Sequence, residues 1–205
     1  DVSEQMQVRL DKRARIIADG GQAYPVDLLR DHTLAQVRQK YTDDAGELTL
    51  APGEETADEV TVGGRVVFVR NTGKLCFASL QDGFTEASNG ERLQVMLSKA
   101  EVGDESLAAW KSDVDLGDHV WVRGRVVVSR RGELSIMAAE WRMASKALRP
   151  LPTLHKELSE ETRVRRRYAD LVVREESRQM VRTRAVITRA VRRALDERGF
   201  LEIET

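Results

Sequence analysis

From Glu59 to Ser145 the apolar residues come in short runs with two-residue alternation, separated by Gly, Asn and charged residues. Five of these runs read as strands: 59–71 (EVTVGGRVVFVRN), 74–82 (KLCFASLQD), 91–98 (ERLQVMLS), 118–130 (DHVWVRGRVVVSR) and 132–143 (GELSIMAAEWRM). Between the third and fourth, residues 99–117 (KAEVGDESLAAWKSDVDLG) carry a helical pattern that ends at a Gly117-Asp118 turn. Residues 83–90 (GFTEASNG) read as a long hairpin loop.

Strand–strand–strand–helix–strand–strand is the order of an OB-fold, a five-stranded Greek-key barrel that binds single-stranded nucleic acid on one face. The expected fold class is mainly β with flanking α-helices. Before the barrel, residues 3–20 have helical spacing, with Ser3 as cap, a thin apolar face of Val8, Ile16 and Ile17, and a stop at Gly20-Gly21. Thr33 caps a short helix through Tyr41 that turns Leu34 and Val37 inward. Residues 42–58 read as an acidic loop with little core material, expected to be mobile.

After the barrel, residues 144–156 (ASKALRPLPTLHK) read as a linker held extended by Pro150 and Pro152. Two helices are expected next. Ser159 caps the first, which carries Arg163, Arg165, Arg166 and Arg167; Thr162 leaves its capping box incomplete. The second runs from about Ser177 to Arg198, buries a side marked by Ile187, Val191 and Leu195, and ends at Gly199 before an extended Phe200-Leu201 segment. The expected organisation is an N-terminal helical segment and acidic loop (1–58), the barrel (59–145), a linker (146–158) and a further helical domain from 159 to 205.

Composition narrows the function classes. Lys and Arg (33) nearly balance Asp and Glu (34), so overall charge does not announce nucleic acid. Distribution says more: seven acids and no base lie between Asp43 and Glu59, and twelve arginines against five acids between Arg163 and Arg198. A single cysteine, Cys76, rules out an internal disulfide and fits a reduced compartment. Three scattered histidines offer no zinc spacing, so no metal site is expected. No apolar run approaches a membrane span. The chain starts at Asp1 and stops in an unfinished phrase at Thr205, which reads as part of something longer.

On the outward face of the first three strands an aromatic side chain would stack a base. Phe77 is the candidate: alternation turns Cys76, Ala78 and Leu80 inward and leaves Leu75, Phe77 and Ser79 outside, against the alternative that Phe77 is core. Arg70 lies near the end of strand one, and Gln94 can both donate and accept a hydrogen bond. Glu133 follows an Arg130-Arg131-Gly132 turn. A carboxylate facing RNA would accept the N3–H of uracil and repel the N3 lone pair of cytosine. The alternatives are a solvated turn residue for Glu133 and an edge-strand polar residue for Gln94. Lys74, Arg130 and Arg131 are candidate phosphate contacts.

In this order, GKLCFASLQD, RLQVM, GELSI, KALRPLP and RRRYADL resemble the N-terminal part of class II lysyl-tRNA synthetases, from about Val8 onward. The resemblance implies a barrel that binds the uridine-rich anticodon of lysine tRNA, with Phe77 stacking a base and Arg70, Gln94 and Glu133 hydrogen-bonding uridines. It implies that Arg198, Gly199 and Phe200 begin the first class II motif, at a homodimer interface. The second and third motifs, which bind ATP and activate lysine with magnesium, are not in these residues. No cofactor is therefore expected here and no aminoacylation by this stretch alone, in a cytoplasmic parent enzyme. Arg163, Arg165, Arg166 and Arg167 are read either as tRNA phosphate contacts or as ion-pair partners of the catalytic domain. Two other readings stay open: a free-standing single-strand RNA-binding module, and the synthetase region of a membrane-anchored lysylphosphatidylglycerol synthase.

Overall fold

A computed structural model describes residues 3–83, 90–152 and 158–204. The chain forms two compact units, one of residues 1–83 with 90–151 and one mainly of residues 152–205.

The larger unit opens with α1 (Glu4–Ala18), whose first turn is capped by the Ser3 hydroxyl accepting from the Met6 amide. Its expected apolar face is corrected: Val8 and Ile17 are exposed, and only Ile16 packs on the core. The buried residue is Arg9, whose guanidinium donates to the carbonyls of Leu116 (2.9 Å) and Ala147 (3.0 Å). Lys12 pairs with Asp115 at 2.7 Å and Arg15 with Asp113. The helix is thus docked by charge and carbonyl acceptors, which apolar periodicity does not register.

Helix α2 (Leu34–Lys40) starts in a complete capping box of Thr33 and Gln36 and buries Leu34 and Val37, as the spacing predicts. The acidic stretch that follows has more core material than expected. Leu48 and Leu50 pack on the core, and the Asp43 carboxylate accepts from the amides of Ala45 and Glu47. Asp58 takes both the Lys40 ammonium (2.5 Å) and the Tyr41 hydroxyl.

Five strands follow: β1 (Glu55–Thr72), β2 (Leu75–Gln81), β3 (Arg92–Ser98), β4 (His119–Val128) and β5 (Leu134–Ser145). They close into a barrel in the order β1-β2-β3-β5-β4, in which β3 and β5 run parallel and the other neighbours antiparallel. Closure removes free sheet edges. Inside lie Val62, Val66, Cys76, Ala78, Leu80, Leu93, Val95, Leu97, Val122, Val126 and Ile136. The helical run between β3 and β4 is split at Gly103 (φ +83°) into α3 (Lys99–Val102) and α4 (Asp104–Asp113). Helix α4 closes the core with Leu107 and Trp110, and Trp110 meets Trp141 edge to face at 5.1 Å.

One irregularity in β1 matters for function. Its early part pairs with β4 and its later part with β2, and the register slips between Val66 and Phe68. Strict alternation from Val62 through Gly64 and Val66 would turn Phe68 and Arg70 inward. Instead Val66 and Val67 are both buried, while Phe68 and Arg70 are exposed. This is a β-bulge, an extra residue that re-aims the side chains beyond it. It is anchored from outside the β1–β2 pair: the Val66 amide donates to the Asp118 carbonyl (2.7 Å) and the Gly117 amide to the Val66 carbonyl (2.8 Å).

The 144–156 stretch read as a linker overlaps the barrel at its first two residues. Ala144 and Ser145 belong to β5, and Lys146 is fully buried. Residues 153–157 of the linker, and 84–89 of the expected hairpin loop, lie outside the described residues.

The smaller unit has three described helices where two were expected: α5 (Glu160–Arg165), α6 (Arg167–Val173) and α7 (Glu175–Asp196). Ser159 caps α5 by accepting from the Thr162 amide at 3.2 Å, and the two hydroxyls lie 2.8 Å apart. The corner between α6 and α7 is built around the buried Asp170, whose carboxylate accepts from Arg167 (2.8 Å) and from the Ser177 hydroxyl (2.7 Å). Arg178 donates to the carbonyls of Leu171 and Val172 at the end of α6. The expected buried side of α7 is corrected: Ile187, Val191 and Leu195 are exposed. Gly199 (φ +82°) ends the helix, and Phe200, Leu201 and Ile203 follow outside any strand.

Candidate nucleic-acid interface

The four residues singled out on the barrel lie on the outward side of β1, β2 and β3 and at the start of β5. Cross-strand register sorts most of them into two rows. One row is Arg70 on β1, Phe77 on β2, Met96 on β3 and Met137 on β5. The next is Phe68, Ser79, Gln94 and Ser135. Across the antiparallel pairs, side chains directly opposite sit roughly 4.5–5.5 Å apart at Cβ, so they are close neighbours on the face.

In the first row the Arg70 guanidinium lies 4.8 Å from the centre of the Phe77 ring. Such a contact is worth about 0.5–1 kcal/mol at an exposed site, and it holds the ring in place. Phe77 is half-buried, with Met96 beside it as an apolar floor. An aromatic ring that is steadied on one side and open to solvent on another can stack a base.

In the second row the Gln94 amide donates to the Ser135 hydroxyl at 2.8 Å, and Ser135 donates to the Glu133 carbonyl at 2.8 Å. The Glu133 carboxylate is mostly exposed, with Arg38 of α2 at 4.0 Å. Arg38 also pairs with Glu91 (2.7 Å) and donates to the Arg92 carbonyl (2.6 Å), joining α2 to the start of β3. Glu133 leaves a turn closed by reciprocal bonds with Ser129, with Gly132 at φ +84°. Arg130 and Arg131 project from that turn, both exposed.

Because β3 runs parallel to β5, the Arg130-Arg131 turn lies at the Arg92 end of this face. Lys74, in the β1–β2 turn, lies at the Ser98 end. Exposed cations therefore stand at both ends, with an aromatic, an amide and a carboxylate between them. This arrangement suits a strand whose phosphates meet the ends and whose bases meet the middle.

Phe68, Met96, Met137, Ser135 and Arg38 share or support this face and were not reached from sequence. Alternation in β3 could have found Met96, which follows Gln94 by two. Phe68 could not be found that way, because the bulge reverses the alternation that would locate it.

Arg198, Gly199 and Phe200 sit in the smaller unit at the end of α7, where Phe200 is exposed and its amide donates to the Leu195 carbonyl. The arginine cluster there is divided. Arg163 (3.5 Å) and Arg167 (2.8 Å) turn to Asp170, and Arg165 pairs with Glu161 at 3.0 Å. These are ion pairs inside the unit, a use that neither sequence-based reading of the cluster anticipated.

Residues 60–144 match the family of OB-fold nucleic acid binding domains, and residues 159–205 match that of the class II tRNA synthetases (D, K and N). Over 205 residues the chain is 60% identical to a lysine–tRNA ligase of Kineococcus radiotolerans and 57% identical to one of Mycolicibacterium gilvum. In both cases all of this chain aligns with 39% of the relative. It is 38% identical over 203 residues to a lysylphosphatidylglycerol biosynthesis bifunctional protein of Rhodococcus jostii, covering 98% of this chain and 16% of that protein. The chain thus spans about two fifths of the length of the ligases it matches.

Proposed function

We propose, for a chain that belongs to the class II tRNA synthetases (D, K and N) and carries their OB-fold nucleic acid binding domain, that the outward barrel face reads the anticodon of lysine tRNA. The observation that carries this reading is the convergence of Phe77, Arg70 and Gln94 on one face, with Glu133 at its edge. In this reading an unpaired base stacks on Phe77, a contact worth roughly 1–3 kcal/mol. Gln94 and Glu133 hydrogen-bond the Watson–Crick edges of uridines, and the Glu133 carboxylate takes an N3–H that cytosine lacks. Lys74, Arg130 and Arg131 meet phosphates, so affinity falls as salt rises while base preference does not.

In the same proposal the full-length ligase forms lysyl-adenylate and passes the lysyl group to the tRNA. ATP, magnesium and lysine belong to that larger reaction. Homodimer formation through Arg198, Gly199 and Phe200, and a cytoplasmic location, are parts of the same proposal. The match to the lysylphosphatidylglycerol protein supports a second reading, a synthetase region within a bifunctional protein. Identity of 60% against 38% favours the ligase. No helix among the described residues is long and apolar enough to cross a membrane.

The test is a titration of the chain with two RNA hairpins at fixed salt, one with a UUU loop and one with its central U replaced by C. The expected result is at least tenfold tighter binding of UUU, about 1.4 kcal/mol, with Glu133→Gln narrowing the gap. Equal binding of both hairpins would remove the reading.

A further inference from the structure

Among the described strand residues, Phe68 is the only large apolar side chain left mostly open to solvent, at 53% exposure. The barrel does not leave it there by default. Continued alternation along β1 would turn Phe68 into the barrel interior, beside such core residues as Val66, Ala78 and Leu80. The bulge at Val67 turns it out, and backbone bonds to Gly117 and Asp118 hold the bulge. The same slip turns Arg70 outward, so one backbone feature delivers both side chains to the candidate face.

Phe68 does not stand alone on that face. Its cross-strand neighbour is Ser79, whose short side chain leaves room for a flat group to lie over the sheet. Next in the row is Gln94, whose amide already takes part in the proposed reading. Phe77 is its diagonal neighbour, a relation that sets side chains roughly 7–8 Å apart. One face of the Phe77 ring is occupied by the Arg70 guanidinium. Phe77 therefore offers its remaining face to one base, and a neighbouring base of the same strand is left for Phe68.

We infer that Phe68 is a second stacking platform, so that the face holds two consecutive unpaired bases, one on Phe77 and one on Phe68. This inference rests on the proposed reading of the barrel as an RNA-binding face and extends it by one base. The occupant is a nucleobase because the patch is continuous with Phe77, Arg70 and Gln94 within an OB-fold nucleic acid binding domain. A stacking platform tolerates any base, so Phe68 adds affinity and register, while base choice stays with the hydrogen-bonding groups.

The experiment pairs protein variants with loop defects, using the whole chain. The probes are the UUU-loop hairpin and three versions of it, each with one loop nucleotide made abasic. Phe68→Ala is expected to weaken UUU binding by about 5-fold to 150-fold, the span of base–aromatic stacking. That loss should vanish on one abasic hairpin, and the loss from Phe77→Ala on a different one. Phe68→Trp should bind as well as the native chain, and circular dichroism should show each variant folded. The inference is overturned if Phe68→Ala binds every hairpin like the native chain, or loses the same factor on all of them. It is overturned equally if the Phe68 and Phe77 losses vanish on the same hairpin, which would mean one base held between both rings. If Phe77→Ala also has no position-dependent loss, the anticodon reading itself falls and takes this extension with it.

Discussion

The Gln94 side-chain amide donates to the hydroxyl of Ser135, a residue 41 positions later and fully buried. A serine hydroxyl has one proton, and the Glu133 carbonyl beside it can only accept. Ser135 must therefore spend its proton on Glu133 and accept from Gln94, which fixes the amide with its NH2 toward the barrel. In the proposed reading, the Gln94 carbonyl oxygen and second N–H are left for a base. Ser135→Ala removes this lock. The expected outcome is a loss of most of the discrimination between UUU and UCU hairpins with an unchanged salt dependence of binding, restored by Ser135→Thr. Hairpin titrations at three salt concentrations check both. An unchanged discrimination ratio would show that Ser135 does not orient the amide.

Lys146 is the most consequential buried charge of the larger unit. Its ammonium donates to Asp115 (2.6 Å), Asp118 (2.7 Å) and the Asp113 carbonyl (2.7 Å), with no side-chain exposure. Asp118 also accepts from the amides of Asp115 and Ala147. Burial alone would raise the Asp115 carboxyl, but hydrogen bonds from Lys12 and Lys146 overcome it and hold it below its ordinary value. Lys146→Met leaves the fully buried Asp118 carboxylate without its cation, while Asp115 keeps Lys12 at 2.7 Å, and removing one partner of such a buried pair costs about 3–5 kcal/mol. Urea unfolding at neutral pH should show a loss of that size.

Stability should also fall on mild acidification through His119. Burial, with Arg65 directly opposite in the β1–β4 register, holds its imidazole down to about 4. The unfolded chain takes up this proton near pH 6.5 and the folded one only near 4, so the unfolded state binds more protons between those values. His119 therefore contributes stability above about pH 6.5 that is lost as pH falls toward 4, at up to about 1.4 kcal/mol per pH unit. Comparing urea midpoints at pH 6.5 and 5.5 for the native chain and His119→Gln isolates the effect. The variant should show the shallower drop.

Gly124 marks another register slip, between β4 and β5, where β5 crosses so closely that a Cβ would lie 2.0 Å from the Met137 carbonyl oxygen. Backbone must move to admit any side chain. Gly124→Ala is expected to destabilise the barrel by about 3 kcal/mol or more. Thermal unfolding measures this, and a change within 0.5 kcal/mol would show that the strands part easily there.

Much of the candidate face could be read from sequence where local periodicity carries the information. In β2 the inward Cys76, Ala78 and Leu80 and the outward Phe77 follow from alternation, and the cap at Thr33 follows from residue type and spacing. The same reasoning failed where a partner outside the segment decides. α1 looked like a helix held by Val8, Ile16 and Ile17, yet of these only Ile16 packs on the core, and Arg9 and two ion pairs hold the rest. Lys146 looked like linker because nothing in its neighbours announces Asp115 and Asp118, about thirty residues earlier. In α7 the periodic Ile187, Val191 and Leu195 were real, but periodicity states which side is apolar and not whether anything covers it.

By itself, the sequence determined the order of five strands with a helical insertion, the caps at Ser3, Thr33 and Ser159, the inward face of β2, and the residue types able to stack and pair bases. Each of these depends on neighbours within a few positions, where backbone geometry ties spacing to direction. Only the tertiary structure decided that Phe68 and Arg70 face outward, that Ser135 orients Gln94, and that Lys146 lies in the interior. Each rests on atoms distant in the chain: the bulge on the Gly117-Asp118 turn, the amide on a hydroxyl of a parallel strand, and the ammonium on carboxylates from another connection. A bulge resets the phase of alternation and a buried ion pair cancels a polarity, so neither can be read until the chain has brought its partners together.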